Sequence, residues 1–68
     1  MNQFATRIYE LRLEAGMTRA QLAQKLGVSV RTISYWESGE RECSFDMLLT
    51  ICALFNTTAD YLLGKSEY

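Results

Sequence analysis

The chain has 68 residues, 49% of them apolar, with seven basic and eight acidic side chains for a formal charge of −1. That suffices for one small domain with one core, is too apolar for a disordered segment, and holds no run near the ~18 apolar residues of a membrane span. Two cysteines, Cys43 and Cys52, and no histidine give neither a zinc-ligand spacing nor the usual serine or cysteine nucleophile dyad.

The opening MNQFATRIYELRLE mixes charges from Arg7 onward, which is not the basic-then-apolar order of a secretion signal, so the cytoplasm is the expected location. Phe4, Ile8, Leu11 and Ala15 fall at spacings of four, three and four, one face of a first helix that Gly16 ends, with Met17 returning to the core. TRAQ then reads as a capping box in which Thr18 accepts from the amide three residues on and Gln21 reaches back. The second helix carries Leu22, Ala23 and Leu26 to Gly27. Ser29 caps a third, running to about Ser38 with Ile33 and Trp36 inward. Ser44 caps a fourth, where Leu48, Ile51, Cys52 and Phe55 form the stripe, and Thr57 or Thr58 caps a short fifth with Tyr61 and Leu62 inward and Gly64 beyond. The class is all-α, five short helices, without proline, strand alternation, repeat or linker.

The stretch LAQKLGVSVRTISYWESGE breaks a helix at one glycine, restarts it within two residues and stops it at another. Ala23 is small enough for a tight crossing, Gly27 tolerates the positive φ of a sharp turn, and Val28 and Ile33 anchor the third helix from beneath. What stays outside is Val30, Arg31, Ser34, Tyr35 and Ser38. A buried helix does not carry that set, and a merely solvated one more often carries Glu–Lys pairs. The arrangement is a helix-turn-helix, about residues 18–38, whose second helix is held out for a DNA major groove.

The segment MTRAQLAQKLGVSVRTISYWESGERE resembles the Cro and phage-repressor (Xre-like) helix-turn-helix family. The likeness extends through LLTICALFNTTADYLLG and back to RIYELRLEAG, about residues 4 to 64. It implies a compact, five-helix, lambda-repressor-like DNA-binding domain filling residues 1–68 and acting as a transcriptional regulator. It puts Arg19 on backbone phosphate, Val30 and Arg31 at base-reading positions, Ser34 and Tyr35 on the next turn, and Ser38 and Arg41 in a phosphate-facing loop. The chemistry suits these roles: Arg31 can donate two hydrogen bonds to guanine O6 and N7, and Val30 can pack on a thymine methyl. Arg19 and Arg41 suit phosphate. Ser29 and Thr32 are first of all capping and helix-face hydroxyls, with phosphate contact as an added role, and Tyr35 can equally pack on the protein surface. The resemblance also implies a buried pair, Arg12 with Glu37, joining the first and third helices.

The acidic balance runs against a DNA-binding reading, but its distribution does not. Residues 18–41 hold Arg19, Lys25, Arg31 and Arg41 against Glu37 and Glu40, whereas residues 42–68 hold Lys65 against Glu42, Asp46, Asp60 and Glu67. Glu40 stands where the family often has lysine and Cys43 where it often has proline, which points to modest, salt-sensitive affinity. The expected partner is a double-stranded operator, an inverted repeat met by a homodimer formed through Phe45 to Leu54 and the DYLLGKSEY tail. Met47 and Leu54 lie off the inward stripe there. No cofactor and no small-molecule ligand is implied. Two other function classes stay open: a protein-interaction or antitoxin-like module, for which Tyr9 and Leu13 supply outward apolar surface, and an enzyme, which the scattered carboxylates argue against.

Overall fold

A computed structural model describes residues 2–67, in the order α1 (Phe4–Glu14), α2 (Arg19–Leu26), α3 (Val30–Ser38), α4 (Phe45–Phe55) and α5 (Ala59–Leu62). Their boundaries are written in local chemistry. The hydroxyls of Thr18, Ser29, Ser44 and Thr58 each accept the backbone N–H three residues on, at 3.0–3.1 Å. Each thereby satisfies an amide that the first turn of a helix leaves without a partner. At α2 the box is complete, because the Gln21 side chain accepts the Thr18 N–H at 2.8 Å.

The stops are left-handed residues. Gly27 has φ 71° and the Val28 N–H returns to the Ala23 carbonyl at 3.0 Å; Gly39 has φ 83° and the Glu40 N–H returns to the Tyr35 carbonyl at 3.0 Å. A side chain at either position would be strained by backbone conformation alone. At the end of α4 a non-glycine residue, Asn56, takes the same role at φ 52°.

Each helix contributes one fully buried aliphatic residue to a common core: Ile8, Leu22, Ile33, Ile51 and Leu62. Phe4, Ala23, Leu26 and Trp36 complete it, Phe4 meeting Trp36 edge-on with ring centroids 6.0 Å apart. Helix α3 packs on both α1 and α2, while α5 is held between α1 and α4. The chain closes on itself where the Gln3 N–H donates to the Leu63 carbonyl at 3.2 Å.

Three apolar assignments differ from the expected pattern, the first being Tyr61, which is half-buried outside the core with the Arg7 guanidinium 4.2 Å from its ring centre. Ala15 is exposed at the C-terminus of α1, and the inward position one turn after Ile8 belongs to Arg12, 7% exposed. Met47 packs against the core and is half-buried. The large outward apolar side chains of α4 are Phe45, Leu49 and Leu54, at 87%, 64% and 38% exposure. The fourth-helix stripe is inward as expected, but only Ile51 is fully covered; Leu48, Cys52 and Phe55 are half-buried.

Candidate nucleic-acid interface

Helix α3 turns Ile33 and Trp36 into the core and leaves a continuous outer face of Val30, Arg31, Ser34, Tyr35 and Ser38. Val30 and Arg31 are exposed at its N-terminal end, while Ser34 and Tyr35, one turn on, are half-buried. The Ser29 and Thr32 hydroxyls are 2.9 Å apart, and the Ser29 Oγ also accepts the Thr32 amide. Both are thus engaged in starting the helix. Ser38 is the last residue of α3, not a loop residue as the resemblance implied. Its hydroxyl donates to the Tyr35 carbonyl at 3.1 Å.

A groove runs along each side of α3. One is lined by Ala5, Thr6 and Tyr9 of α1, by Arg19 of α2, and by Ser34, Glu37 and Ser38. The other runs between α3 and the start of α4, with Arg31, Thr32 and Tyr35 on one wall and Arg41, Cys43 and Ser44 on the other. A cation therefore stands in both. In the second groove the Arg41 guanidinium lies 4.4 Å from the centre of the Tyr35 ring, a cation–π contact that covers one face of the ring.

The floor of the first groove is ionic. Glu37, whose side chain is 3% exposed, accepts from Arg12 Nε at 2.7 Å and from Arg12 Nη2 at 3.1 Å. Arg12 also donates from Nη1 to the Met17 carbonyl at 3.0 Å. These bonds to Glu37 raise the guanidinium pKa above its already high ordinary value. Among the described residues every buried side-chain nitrogen or oxygen has a partner. The buried pair implied by the resemblance is present, with an addition: Arg19 Nε donates to the same carboxylate at 3.0 Å. Thr6, Tyr9 and Glu37 were absent from the expected interface. Thr6 and Tyr9 enter it only through the angle at which α1 docks on α3, which no local pattern encodes.

Cys43 and Cys52 are free, half-buried thiols, and burial pushes the pKa of both up. Among the described residues no His, Cys, Asp or Glu cluster could hold a metal ion.

A helix held by its apolar side against two others, with its polar side between two arginine-bearing grooves, has counterparts among known proteins. The model of the helix-turn-helix family matches residues 8–62. The chain belongs to the helix-turn-helix family. This helix-turn-helix protein is 39% identical over 61 residues to the HTH-type transcriptional regulator ImmR of Bacillus subtilis (strain 168), covering 90% of the chain and 48% of ImmR. It is 37% identical over 65 residues to the HTH-type transcriptional activator BcrR of Enterococcus faecalis, covering 96% of the chain and 32% of BcrR. The chain thus spans half or less of the length of these curated relatives. Among solved structures it is similar to the P22 c2 repressor crystallised with a synthetic operator, with a TM-score of 0.86, 30% identity, and coverage of 97% of this chain and 100% of that one. The five-helix, all-α expectation and the helix-turn-helix within it agree with that likeness.

Proposed function

We propose that this chain is a sequence-specific double-stranded DNA-binding domain that regulates transcription, with α3 in the major groove. The observation that carries the reading is the outer face of α3, open and polar, with an arginine in the groove on either side. An α-helix fits a major groove, and the flanking cations then meet the two phosphate walls. Arg31 is the strongest base reader, through guanine O6 and N7, with Val30 beside it for a thymine methyl. Ser34 faces the same groove. Arg19 and Arg41 hold phosphate; Ser29, Thr32 and Ser38 have hydroxyls at the rim. Tyr35 serves first to brace Arg41, which its ring contact favours over direct base reading.

Repression is the simpler regulatory outcome, since a domain seated on an operator blocks access by occupancy alone, and the P22 c2 protein to which it is similar is named a repressor. The whole chain acts as one unit in the cytoplasm, where its DNA is. Among the described residues no helix is long and apolar enough to cross a membrane. One α3 spans only a few base pairs, so the active unit is a homodimer with its two recognition helices roughly 34 Å apart. The exposed Phe45, Leu49, Leu54 and Leu63 offer the apolar surface for it, with Tyr68 of the tail outside the described residues. The same patch, together with the exposed Tyr9 and Leu13 of α1, favours a protein-interaction role.

Binding-site selection on random duplexes tests the reading. Enrichment of an inverted repeat with half-site centres about one helical turn apart is expected. Arg31→Ala should lose about 1–3 kcal/mol of discrimination at one base pair, and Arg19→Ala should weaken binding to all sequences alike. No enriched sequence overturns the DNA-reading function; a single half-site bound by one chain overturns the dimer.

A further inference from the structure

We infer that Glu37 is a positioning residue for Arg19: the buried carboxylate that ties α1 to α3 also sets the guanidinium that meets the DNA backbone. The inference rests on the DNA-binding reading above and extends it to a residue that has no DNA contact of its own.

Glu37 would repel phosphate if its charge faced solvent, but its side chain is 3% exposed and both of its oxygens are bonded. Arg12 takes two of those bonds with a side chain that is 9% exposed. Arg12 thus satisfies the carboxylate from inside. Arg19 approaches the same Oε1 from the groove side, with its side chain 49% exposed. Two guanidinium charges on one carboxylate leave one positive charge in excess, and the exposed partner carries it to the groove.

Geometry gives that charge a direction. A guanidinium bound through Nε still presents the N–H groups at its far end. Held this way, the long side chain of Arg19 stays beside Ser34 and Ser38, which line the same groove. An arginine fixed before binding loses less rotamer freedom when phosphate arrives. Lysine has no equivalent of Nε: its single ammonium must share its three donors between Glu37 and the phosphate and gives the contact no fixed direction.

The test uses the full chain and a mixed-sequence duplex of about three helical turns, because backbone contacts are independent of sequence. Arg19→Ala should lower affinity about eightfold at roughly 0.1 M salt, the counterion-release value of one phosphate. Arg19→Lys, which keeps the charge and with it the counterion release, should lose a smaller but measurable part of that affinity. Glu37→Gln should weaken binding in the native background and add nothing in the Arg19→Ala background, with every variant measured well below its melting temperature. Wild-type affinity in Arg19→Lys, or an equal Glu37→Gln loss in both backgrounds, overturns the positioning role and leaves the backbone contact standing. Unchanged affinity in Arg19→Ala overturns both. If Glu37→Gln does not fold, the comparison of lysine with alanine at position 19 decides.

Discussion

Replacing Arg12 with alanine removes three hydrogen bonds at once, two to Glu37 and one to the Met17 carbonyl. It also leaves a carboxylate whose side chain is 3% exposed with a single remaining cation, Arg19. Breaking one side of a buried pair costs roughly 3–5 kcal/mol, and the surviving Arg19 contact argues for the lower end, about 3 kcal/mol. A domain of this length has a total stability of roughly 3–10 kcal/mol, so this is a large share of it. With an unfolding entropy of about 2.1 cal/mol/K per residue, each kcal/mol moves the melting temperature by about 7 °C, and the variant should melt about 20 °C early. Thermal denaturation followed by circular dichroism measures this, with Arg7→Ala as the control. Arg7 makes an exposed hydrogen bond to Gln3 and stacks on Tyr61, so its loss should shift the transition little. Arg12→Met combined with Glu37→Leu should recover most of the loss, because it removes the unpaired charge along with its partner. Melting temperatures of Arg12→Ala and Arg7→Ala within a few degrees of each other would refute the buried-network account.

Burial raises the pKa of both Cys43 and Cys52, so the folded chain keeps thiol protons that the unfolded chain has lost. Stability should therefore be level below the unfolded thiol pKa of about 8.5 and fall as pH rises above it, a trend that denaturant titrations across the alkaline range would check. Gly39→Ala, at φ 83°, should cost roughly 1–2 kcal/mol in urea unfolding, and an unchanged midpoint would contradict the left-handed stop. Ser44→Ala removes the cap of α4 and should cost about 1 kcal/mol by the same assay. Phe45→Glu should leave the melting temperature nearly unchanged, since the ring is 87% exposed, and should abolish two-copy binding on an inverted repeat in a stoichiometric titration.

What the sequence made legible was short-range. Thr18 with Gln21, and the serine or threonine before each later helix, lie three residues from the amides they cap, so spacing alone reveals them. The outer face of α3 was legible for the same reason, because helical period sorts Val30, Arg31, Ser34, Tyr35 and Ser38 from Ile33 and Trp36. Ala15 fits the apolar period of α1 and Arg12 does not, yet Arg12 is the residue that turns inward, because its charge is met there by Glu37. Met47 and Leu49 are two residues apart on one helix, and which of them faces the core depends on how α4 docks against the rest of the fold. The bond from Arg19 to Glu37 spans 18 positions and appears only once α2 and α3 have crossed. Family resemblance supplied the Arg12–Glu37 pair but not its third member.

Self-capped helices also have a consequence for how long the native state lasts. Because helix starts and stops are specified within a few residues, helical segments can form and dissolve locally within about a microsecond, and a domain rich in such local contacts folds in about microseconds to milliseconds. Rapid folding does not require rapid unfolding. The bonds between Arg12 and Glu37 join residues 25 positions apart, a pairing that depends on α1 meeting α3 and so forms after the capped turns. Interactions that form after the transition state act mainly on the unfolding rate. The expectation is that this pair closes late, and a chevron plot tests it: weakening the ionic floor beneath α3 should leave the refolding arm almost where it was and lift the unfolding arm, so that a chain that folds just as fast stays folded for less time.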